Sequence, residues 1–218
     1  MKATRTLTED LLILLLHPQK GRLMTQGNAL GQVLAVAALT DLWLAGILTL
    51  VEGKVHLKSL RYAGEPLRDF MIRRIQRAGR LYGFRRWAGR FAMKGDLLLR
   101  MSLQRLKWQG VIYEREQLFL NLFPCRRYYL IRPPLREAMI GRLDQVVSED
   151  APPSLREVIL LQLLTSVNAD RVLLRERTAR RAFRKRLKGF LNDPAETEEN
   201  RRWLEMVKKT AGSSVALT

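Results

Sequence analysis

Few residues in this chain of 218 are of types that do covalent or metal chemistry. Its two histidines, His17 and His56, have no cysteine or carboxylate nearby at metal-ligand spacing, so no metal site is expected. The single cysteine, Cys125, excludes an intramolecular disulfide. It stands beside Arg126 and Arg127, a setting that can activate a thiol, but its place in a strand-like stretch reads as structural. There is no Gly-x-x-x-x-Gly-Lys cradle for phosphates and no nucleophile elbow. Asp41, inside an apolar run, reads as a buried, hydrogen-bonded structural carboxylate. No catalytic residue, metal or cofactor is therefore expected, and the chain is read as non-enzymatic. What remains is the chemistry of charge. The stretch "RRIQRAGRLYGFRRWAGRF", residues 73–91, holds seven arginines and no acid, with Tyr82, Phe84, Trp87 and Phe91 set among them.

The net charge is +18, and it is localised. Residues 61–110 carry 13 Lys/Arg against 3 Asp/Glu, and residues 171–190 carry 9 against 1; elsewhere the two signs cancel. A localised excess of this kind implies a polyanionic partner, either an anionic membrane surface or nucleic acid. Arginine-rich helices can neutralise nucleic-acid phosphates and aromatic rings can stack on bases, which makes a nucleic-acid-binding protein the alternative reading. No helix-turn-helix, zinc finger or RNP-like strand supports it.

The elements that must position these charges are mostly helical. Thr6 and Glu9 stand at capping-box spacing before an apolar run and predict a helix over about 8–17. Pro18, Gly21 and Gly27 mark a loop, and a helix over about 28–45 stops at Gly46. The apolar run 29–51 contains Asp41, which would cost roughly 2.5 to 3.5 kcal/mol in a bilayer, so it reads as a core helix followed by a strand. Two short strands then turn at Glu52-Gly53.

From Pro66, Leu67, Phe70, Met71, Ile75 and Ala78 fall at helical spacing. After Gly79 and Gly83, a short helix sets Phe84, Trp87 and Phe91 on one side and Arg86 and Arg90 on another. A helix over 95–109 carries Arg100, Gln104 and Lys107 on one stripe. "VIYEREQLFLNLFPCRRYYLI" predicts a hairpin with Glu114 to Gln117 at its turn. Helices follow from Pro133 to about 147, from 155 to about 167 behind a Ser154/Glu157 capping box, over about 176–191, and over about 196–210. The expected architecture is a mainly α, single globular domain spanning 1–218. With no charged-then-apolar signal peptide at its start and a lone cysteine, a cytoplasmic location is expected.

Four stretches, in order, carry a resemblance: "LTEDLLILLLHPQKGRL", "ALTDLWLAGILTL", "LQRLKWQGVIYEREQLFL", and "RPPLREAMIGRL" followed by "SLREVILLQLLTSVNA". Together they resemble the Golgi phosphoprotein 3 family of peripheral membrane proteins, in a compact form such as a bacterial relative would have. The resemblance implies a four-helix core wrapped by amphipathic helices, with one or two β-hairpins, one of them projecting. It also implies binding to phosphatidylinositol 4-phosphate on a cytoplasmic membrane face, and an adaptor role towards cytoplasmic tails of membrane proteins.

The family's head-group positions fall on Gln26, Ala35, Asp96 and Leu99, all departures from its pattern, so recognition of charge rather than of one head group is expected. The family's bilayer-dipping hairpin tip falls on Leu118, Phe119 and Leu120. The expected lipid-binding residues are Arg85, Arg86, Arg90, Arg100 and Lys107. The second basic cluster, Arg177 to Lys188, would extend that surface or bind an acidic partner. Basic side chains contribute about 1 kcal/mol each near an anionic leaflet, and a fully buried Leu or Phe roughly 1.5 to 3 kcal/mol.

Overall fold

A computed structural model describes residues 5–59, 64–119, 123–148, 152–172, 177–190 and 197–212. The first helix, α1 (Leu7–Leu15), opens with the expected capping box: the Thr6 hydroxyl accepts from the Glu9 amide, and the Glu9 carboxylate accepts from the Thr6 amide. It stops two residues earlier than its apolar run suggests. Leu16 instead forms an antiparallel bridge with Leu23, closing the loop that follows. Every residue of α1 is buried.

The next helix, α2 (Gly27–Leu44), is long and apolar enough to cross a membrane, but 13 of its 18 residues are buried inside the protein. It is the core helix expected from Asp41. Gly46 ends it in the left-handed conformation, φ +70°, as a glycine beyond a helix C-terminus does. The strands β1 (Leu48–Val51) and β2 (Lys54–Leu57) then pair antiparallel around Glu52 and Gly53, both at positive φ.

The basic segment folds as α3 (Pro66–Gln76), α4 (Phe84–Ala92) and α5 (Gly95–Trp108). Their apolar stripes pack inward as the spacing predicts: Leu67, Met71 and Ile75 of α3, and Phe84, Trp87 and Phe91 of α4, are buried. The α2–α5 crossing is close because both sides present glycine. A Cβ on Gly95 would lie 2.7 Å from the Gly31 Cα, and one on Gly31 would lie 2.8 Å from the Ala92 carbonyl oxygen.

Strands β3 (Ile112–Phe119) and β4 (Phe123–Leu130) form the second hairpin. The expectation of a turn at Glu114 to Gln117 is wrong. These four residues lie within β3, paired with Tyr128, Arg127, Arg126 and Cys125 of β4. A two-stranded ribbon need not bury a face, so a charged strand interior is tolerated when opposite charges stand across the ladder, as Glu116 and Arg126 do.

The remaining helices are α6 (Pro133–Val147), α7 (Leu155–Ser166) behind its Ser154/Glu157 capping box, α8 (Arg177–Phe190) and α9 (Glu198–Ala211). A 3-10 turn at Ala169–Val172, not foreseen, precedes α8. The core is built on α2: α1, α4 and α5 pack along it, α7 touches α1 and α2, and α9 packs on α2 and α7. Trp203 of α9 stacks on Trp43 of α2 at 4.6 Å, meets Phe84 of α4 edge-on at 5.0 Å, and donates its indole N–H to the Thr40 hydroxyl at 3.1 Å. The fold is mainly α.

Asp41 ties this core together. Its carboxylate, 4% exposed, accepts from the Leu7 amide at 2.6 Å, and from the Thr8 amide at 3.0 Å and hydroxyl at 2.7 Å. It thereby satisfies amides that the first turn of α1 would otherwise bury unpaired. Burial raises its pKa above the ordinary 3.8 against these hydrogen bonds, and burial likewise raises that of Glu9. The folded state therefore holds these protons more tightly than the unfolded chain. Their contribution to stability is fully present below about pH 4 and declines as pH rises through the raised values. Asp41→Ala is expected to cost about 3 kcal/mol by orphaning three buried donors, a fall of roughly 6 to 12 °C in thermal midpoint by calorimetry. Across pH 4 to 7, the stability of the wild type relative to Asp41→Asn should decline; an increase would contradict the sign.

Candidate functional site

The basic surface begins around Tyr82, in the loop between α3 and α4. Three guanidinium groups gather over its ring: Arg80 at 5.0 Å, Arg86 at 4.4 Å and Arg90 at 4.7 Å from the centroid. The Tyr82 hydroxyl accepts from Arg80 Nε at 2.5 Å. Hydrogen bonds from Arg80 and Arg90 hold the phenol below its ordinary pKa. The ring itself is nearly buried. The loop is anchored from the other side by the first hairpin, where the Val55 amide donates to the Tyr82 carbonyl at 2.9 Å.

Of the residues expected to bind lipid, Arg86 and Arg90 are thus brought together on one ring, as cation–π packing allows. Arg85 is exposed on α4 and Arg100 on α5, and among the described residues neither has a carboxylate partner. Lys107 differs. It is half-buried and pairs with Glu114 at the start of the second hairpin, holding that carboxyl below the usual range. Arg126 of β4 pairs with the same Glu114 at 3.2 Å. Phe84, Trp87 and Phe91 are all in the core, so they present no stacking platform for bases.

The second hairpin is docked at its base through Gly21, which lies in the left-handed region at φ +58°. The Tyr128 amide donates to the Gly21 carbonyl at 2.7 Å, and the Tyr129 ring lies where a Gly21 Cβ would be, within 2.6 Å. At its far end, Leu118 is 62% exposed. Phe119 closes β3, and Leu120 lies outside the described residues.

Sequence reasoning missed Trp108, which ends α5 at 87% exposed. The signal was present: at 100° per residue it falls 200° from the buried Leu106, off the apolar stripe.

The head-group positions of the resemblance separate. Gln26, Asp96 and Leu99 line one cleft of about 360 Å³ beside the Gly31–Gly95 crossing, whereas Ala35 is sealed in the core. The same cleft is lined by Arg22, Arg126 and Arg127.

The second basic cluster is partly structural. Arg184 pairs with the buried Asp170 at 2.7 Å and donates to the Asn168 side chain at 3.2 Å, and Arg186 donates to the Val147 carbonyl at the end of α6, 2.7 Å away. Arg181, Lys185 and Lys188 are exposed. The side chain of Arg177 lies outside the described ones.

No curated protein matches the chain. The family model described as Golgi phosphoprotein 3 (GPP34) matches residues 7–210.

The docking geometry makes Gly21 a test of what holds the hairpin. Gly21→Val adds atoms where the Tyr129 ring sits and strains a positive φ. The Tyr128 amide should then exchange with deuterium at least about tenfold faster while the amides of α7 keep their protection. Unchanged Tyr128 exchange would show that the base is held elsewhere.

Proposed function

Because the chain belongs to the Golgi phosphoprotein 3 family, a family of phosphoinositide-binding, Golgi-associated proteins without enzymatic activity, we propose that it is a peripheral membrane protein attaching to anionic phospholipid as one domain. Arg85, Arg86, Arg90 and Arg100 face the leaflet, with Lys107 at the base of the hairpin. Leu118, Phe119 and Leu120 form the wedge. Cytoplasmic tails of membrane proteins are further partners in this reading.

The observation that carries it is the exposure of Leu118, at 62%, towards the far end of the hairpin, on a chain whose excess charge in residues 61–110 lies just before it. Four or five cations at about 1 kcal/mol each suffice for reversible attachment, and a wedge side chain adds roughly 1.5 to 3 kcal/mol if fully inserted. Trp108 is suited to the interface, where an aromatic ring with one polar atom is at home.

A second reading, capture of one head group in the cleft beside Gly31 and Gly95, is favoured by Arg22, Arg126 and Arg127 and opposed by the Asp96 carboxylate in the same lining.

Co-sedimentation should show enrichment on anionic over neutral vesicles at physiological salt, weakening as salt screens the charges. No enrichment, or preferential binding to duplex or single-stranded nucleic acid, would sink the proposal. Leu118→Glu should weaken vesicle binding about tenfold without changing the thermal midpoint. Under the charge reading, phosphatidylinositol 4-phosphate gains no preference over other lipids at matched charge; a clear preference would transfer recognition to the cleft.

A further inference from the structure

A different cleft, of about 390 Å³, opens between α3 and α4, and neither the wedge nor the head-group positions account for it. Four cations line it: Arg74 and Arg77 from α3, Arg90 from α4, and Lys94 just after α4. No carboxylate lines it, and among the described residues none pairs with these four.

Its floor is aromatic. Phe70 meets Phe91 edge-on at 6.2 Å, and Phe91 stacks on Trp87 at 5.4 Å; Phe91 and Trp87 are buried beneath, so the apolar surface the cleft presents is the half-buried Phe70 with Met93, 79% exposed, at its side. Trp87 is 3% exposed, and its indole N–H is a buried donor with no acceptor. An unpartnered donor of this kind is uncommon in a folded protein. Beyond Phe70, Arg74 and Arg77 the surface continues into an adjoining hollow of about 380 Å³ that reaches Pro66 and Met101.

We propose that this cleft binds an organic phosphate. The phosphoryl group lies against the cationic rim, and its apolar body rests on the half-buried Phe70 and the exposed Met93, above the buried Phe91 and Trp87. Four cations with no carboxylate among the lining residues, Arg74, Arg77 and Lys94 beside an Arg90 that also packs on Tyr82, call for a multiply charged anion. A phosphomonoester carries about −1.5 to −2 at neutral pH, and its oxygens suit the forked donors of arginine. A carboxylate offers half that charge. An aromatic floor adjoining a second hollow suits a ligand with an extended apolar part rather than inorganic phosphate alone. The proposal goes beyond peripheral attachment, since binding here needs no bilayer and no hairpin.

The test follows the four tryptophan indole resonances by proton–nitrogen NMR at physiological salt, with Trp87 assigned from Trp87→Phe. Phenyl phosphate and monomeric dihexanoyl phosphatidic acid are titrated in, with dihexanoyl phosphatidylcholine and inorganic phosphate as comparisons. The Trp87 resonance should shift saturably with one or both organic monoesters and at least about tenfold more weakly with the comparisons. A shift from both monoesters assigns recognition to the phosphoryl group whatever carries it; a shift from the phosphatidic acid alone assigns it to a lipid. The Arg74→Gln/Arg77→Gln variant, altered only at exposed positions, should lose at least about tenfold in affinity at an unchanged thermal midpoint, and Lys94→Gln should lose less. No saturable Trp87 shift, or an equal one in the double variant, overturns the proposal. Vesicle attachment in the Trp87-silent case would leave the peripheral-membrane reading standing, and a saturable shift without attachment would do the reverse.

Discussion

One buried carboxylate governs how this fold closes. Asp41 sits mid-way along the core helix and accepts hydrogen bonds from the first turn of α1, fixing where α1 begins relative to α2. A carboxylate that is 4% exposed survives only where its lone pairs are used, so the register between these two helices has little freedom. Around it, charges from other elements complete a network. Arg156 of α7 binds Asp10 at 2.7 Å and comes to 4.0 Å of Asp41, while Arg105 of α5 reaches Glu9 at 3.3 Å and Glu65, ahead of α3, at 3.6 Å. The start of α1 is thus where α2, α3, α5 and α7 are tied to one another, and the basic surface of α3 to α5 inherits its placement from that point.

Two glycines extend this control to the surface. The Gly31–Gly95 contact lets α5 lie directly on α2, and the Gly21 loop receives the second hairpin through Tyr128 and Tyr129. The hairpin is then held from both strands by Glu114, which takes Lys107 from α5 and Arg126 from β4. A base held on both strands and an exposed Leu118 near its far end are what the proposed wedge would need. Neither property depends on the identity of a lipid.

Local signals were legible in the sequence wherever one short segment settles its own structure. Both capping boxes, the glycine stop at Gly46, the Glu52-Gly53 turn and the inward face of Phe84, Trp87 and Phe91 follow from spacing alone. The burial of Asp41 was readable too, though not its partners, because Leu7 and Thr8 lie more than thirty residues away. What long-range pairing decides was lost. The charged interior of β3 looks like a turn until its ladder with β4 is known, and Arg184 or Arg186 looks like a free charge until Asp170 or the end of α6 arrives. Net charge by segment therefore overstates the cations left for a partner, through Arg68, Arg105 and Lys107 in the first cluster and Arg184 in the second. Tyr82 shows the opposite failure, since nothing in its spacing reveals that it gathers three arginines.

In the proposed attachment, the hairpin's outer end enters the bilayer while the arginine surface lies on it. Depth of insertion decides this. With Cys125→Ser removing the single native thiol, a polarity-sensitive fluorophore is placed on Leu118→Cys or, for comparison, on Lys185→Cys of α8, and each protein is added to anionic vesicles with and without brominated acyl chains. A blue shift and strong bromine quenching are expected at position 118 and neither at position 185. A label at 118 that stays in water while the protein is bound to the vesicles would contradict insertion.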